Sequence, residues 1–317
     1  MRSFFKKWGG WSLKLLFSAV LVGFLLQKYD LRATWAETSE VRSGMLALGC
    51  LLCFGVIFCN AWRWWLLIKT VSPEACPFFR DIFAVNYAGQ FSTLFLPMTV
   101  GSDAVKVVCL KRLGAALTET VSNVTIDRLL SYLTLVYAAL VMMPWAWETE
   151  ALRMPLTLFA LIGFLGTLFL FAVSFIRKIP EGKDAAPLWK WVLRLSQDLH
   201  ALFSSPGKGI AIVVLGVFSH ILFSLMFYVL GRGLGIDIGL MDCLVFIPAI
   251  VLMIMLPISI SGWGVREQAM VTAFALTGMA EPQALLLSVV GGGVVTLMSL
   301  PGLFSWQNLK KKEPSKS

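Results

Sequence analysis

Between Trp11 and Phe304 the chain is a succession of apolar runs, most of them long enough to cross a bilayer, separated by connectors that carry most of the charge. In a medium without water a run of about 20 apolar residues satisfies its backbone only as a helix, so the pattern restricts this chain to a bundle of membrane-crossing helices. Composition agrees, because 58% of the 317 residues are hydrophobic, 14% are charged, and the mean hydropathy is +0.79. The wetted surface of a domain this size does not sustain such a balance. The runs lie too close together to leave room for a separate soluble domain. A net charge of +9 would suit nucleic acid. Here, however, the bases sit in loops and tails between apolar runs, as membrane topology requires, so nucleic acid is excluded as a partner.

Runs over 11–27, 44–68, 121–144, 155–176, 209–230 and 284–304 predict about six full transmembrane helices. The first follows Arg2, Lys6 and Lys7 without a small-x-small cleavage site, so it reads as a retained span rather than a signal peptide. Trp62-Arg63-Trp64-Trp65, near the end of the second, reads as an interfacial belt with a base in it. Over about 187–203, Leu188, Trp191, Val192, Leu195, Leu199 and Leu202 recur at helical spacing with Lys190, Arg194 and Gln197 opposite. That predicts an amphipathic helix in the membrane interface. The N-terminus, 63–80, 106–112, 177–208 and the tail hold most of the 27 Lys and Arg residues and fall on one side of this scheme. The basic side is the cytoplasmic one, which puts both termini of a multi-pass protein there.

Two stretches depart from the simple spans. Over 81–96 the apolar character is broken by Asn86, Tyr87, Gly89, Gln90, Ser92 and Thr93. Such polarity is tolerated at membrane depth only where it faces protein or a water-filled cavity. The stretch ends in Pro97-Met98-Thr99-Val100-Gly101-Ser102-Asp103-Ala104-Val105-Lys106, and Pro257-Ile258-Ser259-Ile260-Ser261-Gly262-Trp263-Gly264-Val265-Arg266 repeats that phrase without a gap. Both have proline first, a hydroxyl third, a β-branched residue fourth and Val-base last, at an offset of 257 − 97 = 160 residues. Proline removes a donor and glycine frees φ, so both helices are expected to break into re-entrant hairpins. The same offset sets the span from Gly44 against the span from Gly209, which runs the opposite way. A single all-α transmembrane domain is therefore expected, with inverted repeat units over about 44–144 and 209–304. Interrupted helices at corresponding places of such repeats mark a transporter's binding site.

An ionisable side chain inside a span costs roughly 2.5 to 3.5 kcal/mol for Arg, Lys or Asp at the centre, so each persists for a reason. The candidates are Asp103, Lys106, Asp127, Arg128, Arg266 and Glu267. Two arrangements fit. Either these groups pair internally and hold the broken helices together, or Lys106 and Arg266 face a polar cavity from opposite leaflets and receive a lipid phosphate. In the second case backbone donors at turns around Gly101 and Gly262 assist. Asn86, Gly89, Gln90, Pro97, Pro257 and Ser259 complete the candidate substrate-binding set. His220, alone on an apolar span, reads as a packed histidine, and Gly291-Gly292-Gly293 as close helix packing. The six cysteines offer no disulfide framework, and Cys50-x-x-Cys53 reads as packing. No carboxylate cluster or His/Cys set has metal-ligand spacing, so neither a metal, a cofactor nor catalysis is expected.

Several of these motifs, in this order, resemble one family: Asn86-x-x-Gly89, Phe95-Leu96-Pro97, Gly101-Ser102-Asp103-Ala104-Val105-Lys106, Asp127-Arg128, Pro257-Ile258-Ser259, Gly262-x-Gly264-Val265-Arg266-Glu267 and Pro301-Gly302. The chain is similar to the lysylphosphatidylglycerol synthase transmembrane family, which includes the flippase portion of the multiple peptide resistance factor. The resemblance implies a flippase-like translocase of the bacterial cytoplasmic (inner) membrane, moving a phospholipid or a lipid-linked anionic headgroup. Its partner would be a membrane lipid with an anionic headgroup, and a homodimer is compatible with the sequence. Two alternatives stay open: a non-transporting membrane subunit that assists a lipid-modifying enzyme or glycosyltransferase, and an integral-membrane lipid-phosphate enzyme. The chain ends soon after its last span, so the family's soluble aminoacyl-transferase domain, and with it synthesis of lysyl lipid, is not expected. Lys106 stands where the resemblance leads one to expect arginine, and Ser261 where it leads one to expect glycine. A lysine holds phosphate as a point charge rather than a fork.

Overall fold

The computed structural model describes residues 42–74, 76–96, 98–141, 144, 150–176, 187–255 and 264–311. The expected first span, Pro97, and Pro257 to Trp263 lie outside them. Among the described residues the regular structure is α-helical. The long apolar runs become α1 (Ser43–Val71), α4 (Leu117–Val141), α5 (Glu150–Val173), α7 (Pro206–Gly233) and α10 (Glu281–Ser299). Five segments among the described residues are long and apolar enough to cross a membrane, the last counted from Glu281 to Leu309. Between them stand the shorter α2 (Phe79–Ser92), α3 (Met98–Arg112), α6 (Pro187–Phe203), α8 (Leu240–Met255), α9 (Val265–Ala275) and α11 (Gly302–Lys311). This is a polytopic helical membrane protein.

The chain divides into two compact units that interleave along the sequence. The first comprises Met1–Phe54, Ser92–Gly101 and Leu222–Ser299; the second comprises Gly55–Phe91, Ser102–Ile221 and Leu300–Ser317. In the first unit α9 packs between α8 and α10. Phe274 on α9 is fully buried and meets Phe246 on α8 edge-on, with ring centroids 5.6 Å apart. The Arg42 amide donates to the Gly233 carbonyl at 3.0 Å, tying the start of α1 to the end of α7.

The second unit is built around α4, which packs against both α5 and α6. Its core includes Trp64 and Leu67 of α1, Ile82 of α2, Leu110 of α3, Ile126 of α4 and Leu199 of α6. Lipid tails are as apolar as leucine, so burial among them does not drive the helices together as it would in water; close fit and polar pairing must do so. The outward side of α5 shows the lipid-facing half of that arrangement, because Leu158, Leu161, Phe164, Leu165, Leu168 and Phe169 are all exposed. No water-facing helix carries such a patch.

α6 places Leu195, Leu199 and Leu202 in the core and leaves Leu188 outside. Its Arg194 does not stay on a solvated face. The guanidinium reaches Glu119 at 2.7 Å and Ser72 at 2.9 Å, and Asp198 one turn on at 3.0 Å. Ser122 donates to Asp198 at 2.6 Å. Burial pushes the Asp198 carboxyl above its ordinary range, against the opposing pull of Ser122 and Arg194. This network fastens α6 to α4 and to the end of α1.

The polar stretch that precedes the first phrase forms α2, which ends at Ser92; Thr93 to Phe95 turn, and the chain is helical again from Met98. The break therefore falls before Gly101. That residue lies inside α3, where a Cβ would collide with Leu96, so it permits the tight turn rather than forming it. In the other half α8 ends at Met255 and α9 begins at Val265.

Candidate functional site

α4 carries a polar stripe through an otherwise apolar helix. Thr120, Asn123, Asp127, Ser131 and Thr134 recur three or four residues apart and so share one face. All but the half-buried Ser131 are buried. Asp127 is the charged member, and two bases from other helices converge on it. Arg63 of α1 donates through Nη2 to Asp127 Oδ1 at 2.7 Å, and Lys106 of α3 donates through Nζ to Oδ2 at 3.1 Å. The same Arg63 nitrogen reaches Ser131 Oγ at 2.6 Å. The Ser131 carbonyl lies 3.3 Å from His220 Nε2 of α7, so His220 is a packed, hydrogen-bonded residue at the margin of this cluster.

Lys106 reaches its place because α3 can lie close to α2. A Cβ at Gly89 would stand 2.8 Å from Ser102 Oγ and 3.6 Å from Lys106 Cγ, so a larger residue there would have to displace the Ser102 hydroxyl. The Lys106 ammonium rests 4.5 Å from the centre of the Trp64 ring, whose π face attracts a cation. Arg63, Lys106 and Asp127 are all under a tenth exposed.

The next residue pairs crosswise. Arg128 meets Asp103 of α3 with both branches of its fork, Nε to Oδ2 at 3.1 Å and Nη2 to Oδ1 at 2.5 Å. Adjacent residues of α4 therefore clamp two residues one turn apart on α3, Asp127 with Lys106 and Arg128 with Asp103. Asn86 is buried on α2 and donates to the Ile57 carbonyl of α1 at 3.4 Å. Gln90, one turn on, is half-buried.

The second cluster belongs to the first unit. Arg266 and Glu267 open α9, which starts after Gly264 at φ 87°, a left-handed conformation that glycine supplies without strain. The Gly264 amide donates to Glu267 Oε2 at 2.5 Å, and Arg266 meets Oε1 through Nη2 at 2.5 Å and Nε at 3.0 Å. Ser288 of α10 accepts from Arg266 Nε at 3.2 Å. Glu267 is 2% exposed. The glycine run on α10 divides its work: a Cβ at Gly292 would collide with the Arg266 guanidinium, and one at Gly291 with the Phe227 ring, while Gly293 faces open space.

Of the expected set, Asp103, Lys106, Asp127 and Arg128 come together with Gly89 beside them, Asn86 serves α1, and Arg266 and Glu267 form their own pair. Pro97, Pro257, Ser259 and Gly262 lie outside the described residues. Both of the singled-out bases are held by carboxylates of the chain itself. One sequence expectation requires correction. Arg63 and Trp64 do not stand in an interfacial belt; they are 3% and 0% exposed, packed inside the second unit. Arg63 is thus a functional candidate that position near a run's end concealed. The available signal was Asp127 itself, an acid at membrane depth that needs a partner from another helix. Among the described residues no His, Cys, Asp and Glu cluster is arranged to hold a metal ion.

An apolar cavity of about 360 Å³ lies beside the same face of α4, lined by Leu130, Leu133 and Tyr137 of that helix, by Leu199 and Leu202 of α6, and by Ile210 of α7. The family model described as the lysylphosphatidylglycerol synthase TM region matches residues 11–302. No curated protein matches the chain.

Proposed function

The chain belongs to the lysylphosphatidylglycerol synthase transmembrane-region family, and from that premise we propose that it is a lipid translocase rather than an enzyme. The family places it among membrane proteins of lipid metabolism or translocation. Its substrate is a phospholipid or lipid-linked anion of the bacterial cytoplasmic membrane, and Lys106 and Arg266 each receive the phosphate at one stage of its passage. One observation carries this reading: after an interruption in an apolar run, a short helix brings a base with a carboxylate partner to a largely buried position, Lys106 with Asp127 and Arg266 with Glu267. Ionisable groups at such depth are expensive, and in transporters they line the substrate path. The apolar cavity beside Asp127's helix supports it further, because its size and lining suit part of a lipid tail.

Liposomes reconstituted with the purified chain and a fluorescent phosphatidylglycerol test the proposal. The parent protein is expected to carry the probe between leaflets faster than protein-free vesicles do. Lys106→Gln and Arg266→Gln are each expected to slow that movement about tenfold, equivalent to about 1.4 kcal/mol. A parent protein that moves no lipid, or Gln variants that move it normally, would refute the translocase reading.

A further inference from the structure

The cluster around Asp127 is not electrically balanced. Two bases, Arg63 and Lys106, share one carboxylate, while Arg128 is matched by Asp103. The buried trio therefore carries one surplus positive charge. Its unused hydrogen-bonding capacity has the same sign. Arg63 Nε and Nη1 and Trp64 Nε1 are buried without a hydrogen-bond partner among the described residues, and all are donors. If pairing were the whole purpose, one base would be enough: Arg63 alone can take both oxygens of Asp127 through its fork, and Lys106 alone can neutralise it. A second buried base adds desolvation cost without adding a partner.

We propose that Arg63 is the exchange partner of this site. When an anionic phosphodiester arrives, Lys106 gives up Asp127 Oδ2 and turns its ammonium to the phosphate. Arg63, already on Oδ1, uses its idle donors to take the oxygen that Lys106 released. Asp127 is never left unpaired, so release of the lysine carries no exposed-carboxylate penalty. The surplus charge is balanced only while the anion is bound. The inference rests on the lipid-translocase reading and adds to it the residue that makes Lys106 available and the charge of the ligand, a monoanion with phosphodiester chemistry.

The test reads binding and stability in purified detergent-solubilised protein. Thermal unfolding is followed while short-chain phosphatidylglycerol, short-chain phosphatidylcholine or inorganic phosphate is added. For the parent, phosphatidylglycerol is expected to raise the unfolding temperature and the other two to leave it unchanged. Without ligand, Arg63→Gln and Lys106→Gln should unfold at or above the parent temperature, since each leaves a balanced pair. Both should bind phosphatidylglycerol at least tenfold more weakly. For Arg63→Gln that loss occurs although Lys106 is intact. Asp127→Asn, with two unbalanced bases, should unfold well below the parent and be the variant that phosphatidylglycerol protects most.

Arg63→Lys keeps the charge but not the fork, and should fold while binding several-fold more weakly. If Arg63→Gln unfolds well below the parent while Arg63→Lys binds as the parent does, Arg63 is a structural counter-ion and the proposal is overturned. Equal protection by inorganic phosphate overturns the assignment of the site to a lipid headgroup. The two readings fail separately. A parent that binds phosphatidylglycerol but moves none in liposomes defeats translocation alone. A parent that moves lipid, with Arg63→Gln equal to it in binding, defeats the exchange alone.

Discussion

At the scale of single residues, the two clusters use buried charge in different ways. Arg266 and Glu267 are matched one to one, and Glu267 also receives the Gly264 amide at the start of α9. Removing the acid deprives a largely buried guanidinium of its carboxylate and the Gly264 amide of its acceptor. Glu267→Ala is therefore expected to lower stability by about 3–5 kcal/mol, the range for breaking a buried ion pair. Gly292→Ala pushes on the far end of the Arg266 side chain, which can yield in part, and should cost about 1–3 kcal/mol. Thermal unfolding in detergent measures both. A Glu267→Ala protein no less stable than Gly292→Ala would show that the pair contributes little. The sequence reveals that these acids and bases need partners. It does not reveal which partners they take, as Asp103 illustrates: it stands one turn from Lys106 on α3 yet pairs with Arg128.

At the scale of helices, glycine sets which elements can approach. Gly302 opens α11 at a point where a Cβ would collide with the Tyr87 carbonyl of α2 and stand 2.7 Å from the Phe91 Cβ. The neighbour here is backbone and cannot rotate away. Gly302→Ala is expected to force α11 off α2 and to destabilise by about 1–3 kcal/mol. Gly293, on α10, meets nothing within 4 Å, so Gly293→Ala should be neutral or stabilising by up to about 1 kcal/mol through helix propensity alone. If the two substitutions shift the unfolding midpoint equally, close approach is not what Gly302 provides. Both glycines were visible in the sequence, Gly302 within the Pro301-Gly302 motif. The contrast between them was not, because it depends on the helix that each one faces.

At the scale of the whole molecule, the distribution of bases predicts orientation. With the native cysteines replaced, a cysteine at Lys183 should react with a membrane-impermeant reagent only from the cytoplasmic side, and one at Glu148 only from the outside. Labelling of both from one side would overturn the arrangement of spans. Arg63 and Lys106 no longer count towards that rule, being buried, but Lys69, Arg80, Lys111, Arg112 and Lys190 keep the bias of their segments. What the sequence determined by itself is what depends on local chemistry. Apolar length required helices, and the cost of intramembrane charge required that Asp127, Lys106, Arg266 and Glu267 be paired or used. The tertiary structure alone decided how those requirements were met. Arg63 and Asp127 are 64 positions apart and Ser122 and Asp198 are 76 apart, and nothing in a periodic pattern states which faces of distant helices will meet. Close packing settled that choice, through the glycines that let α3 lie on α2 and α11 on α2. It thereby made a tryptophan and an arginine that resembled a surface belt into the buried wall of a charged site.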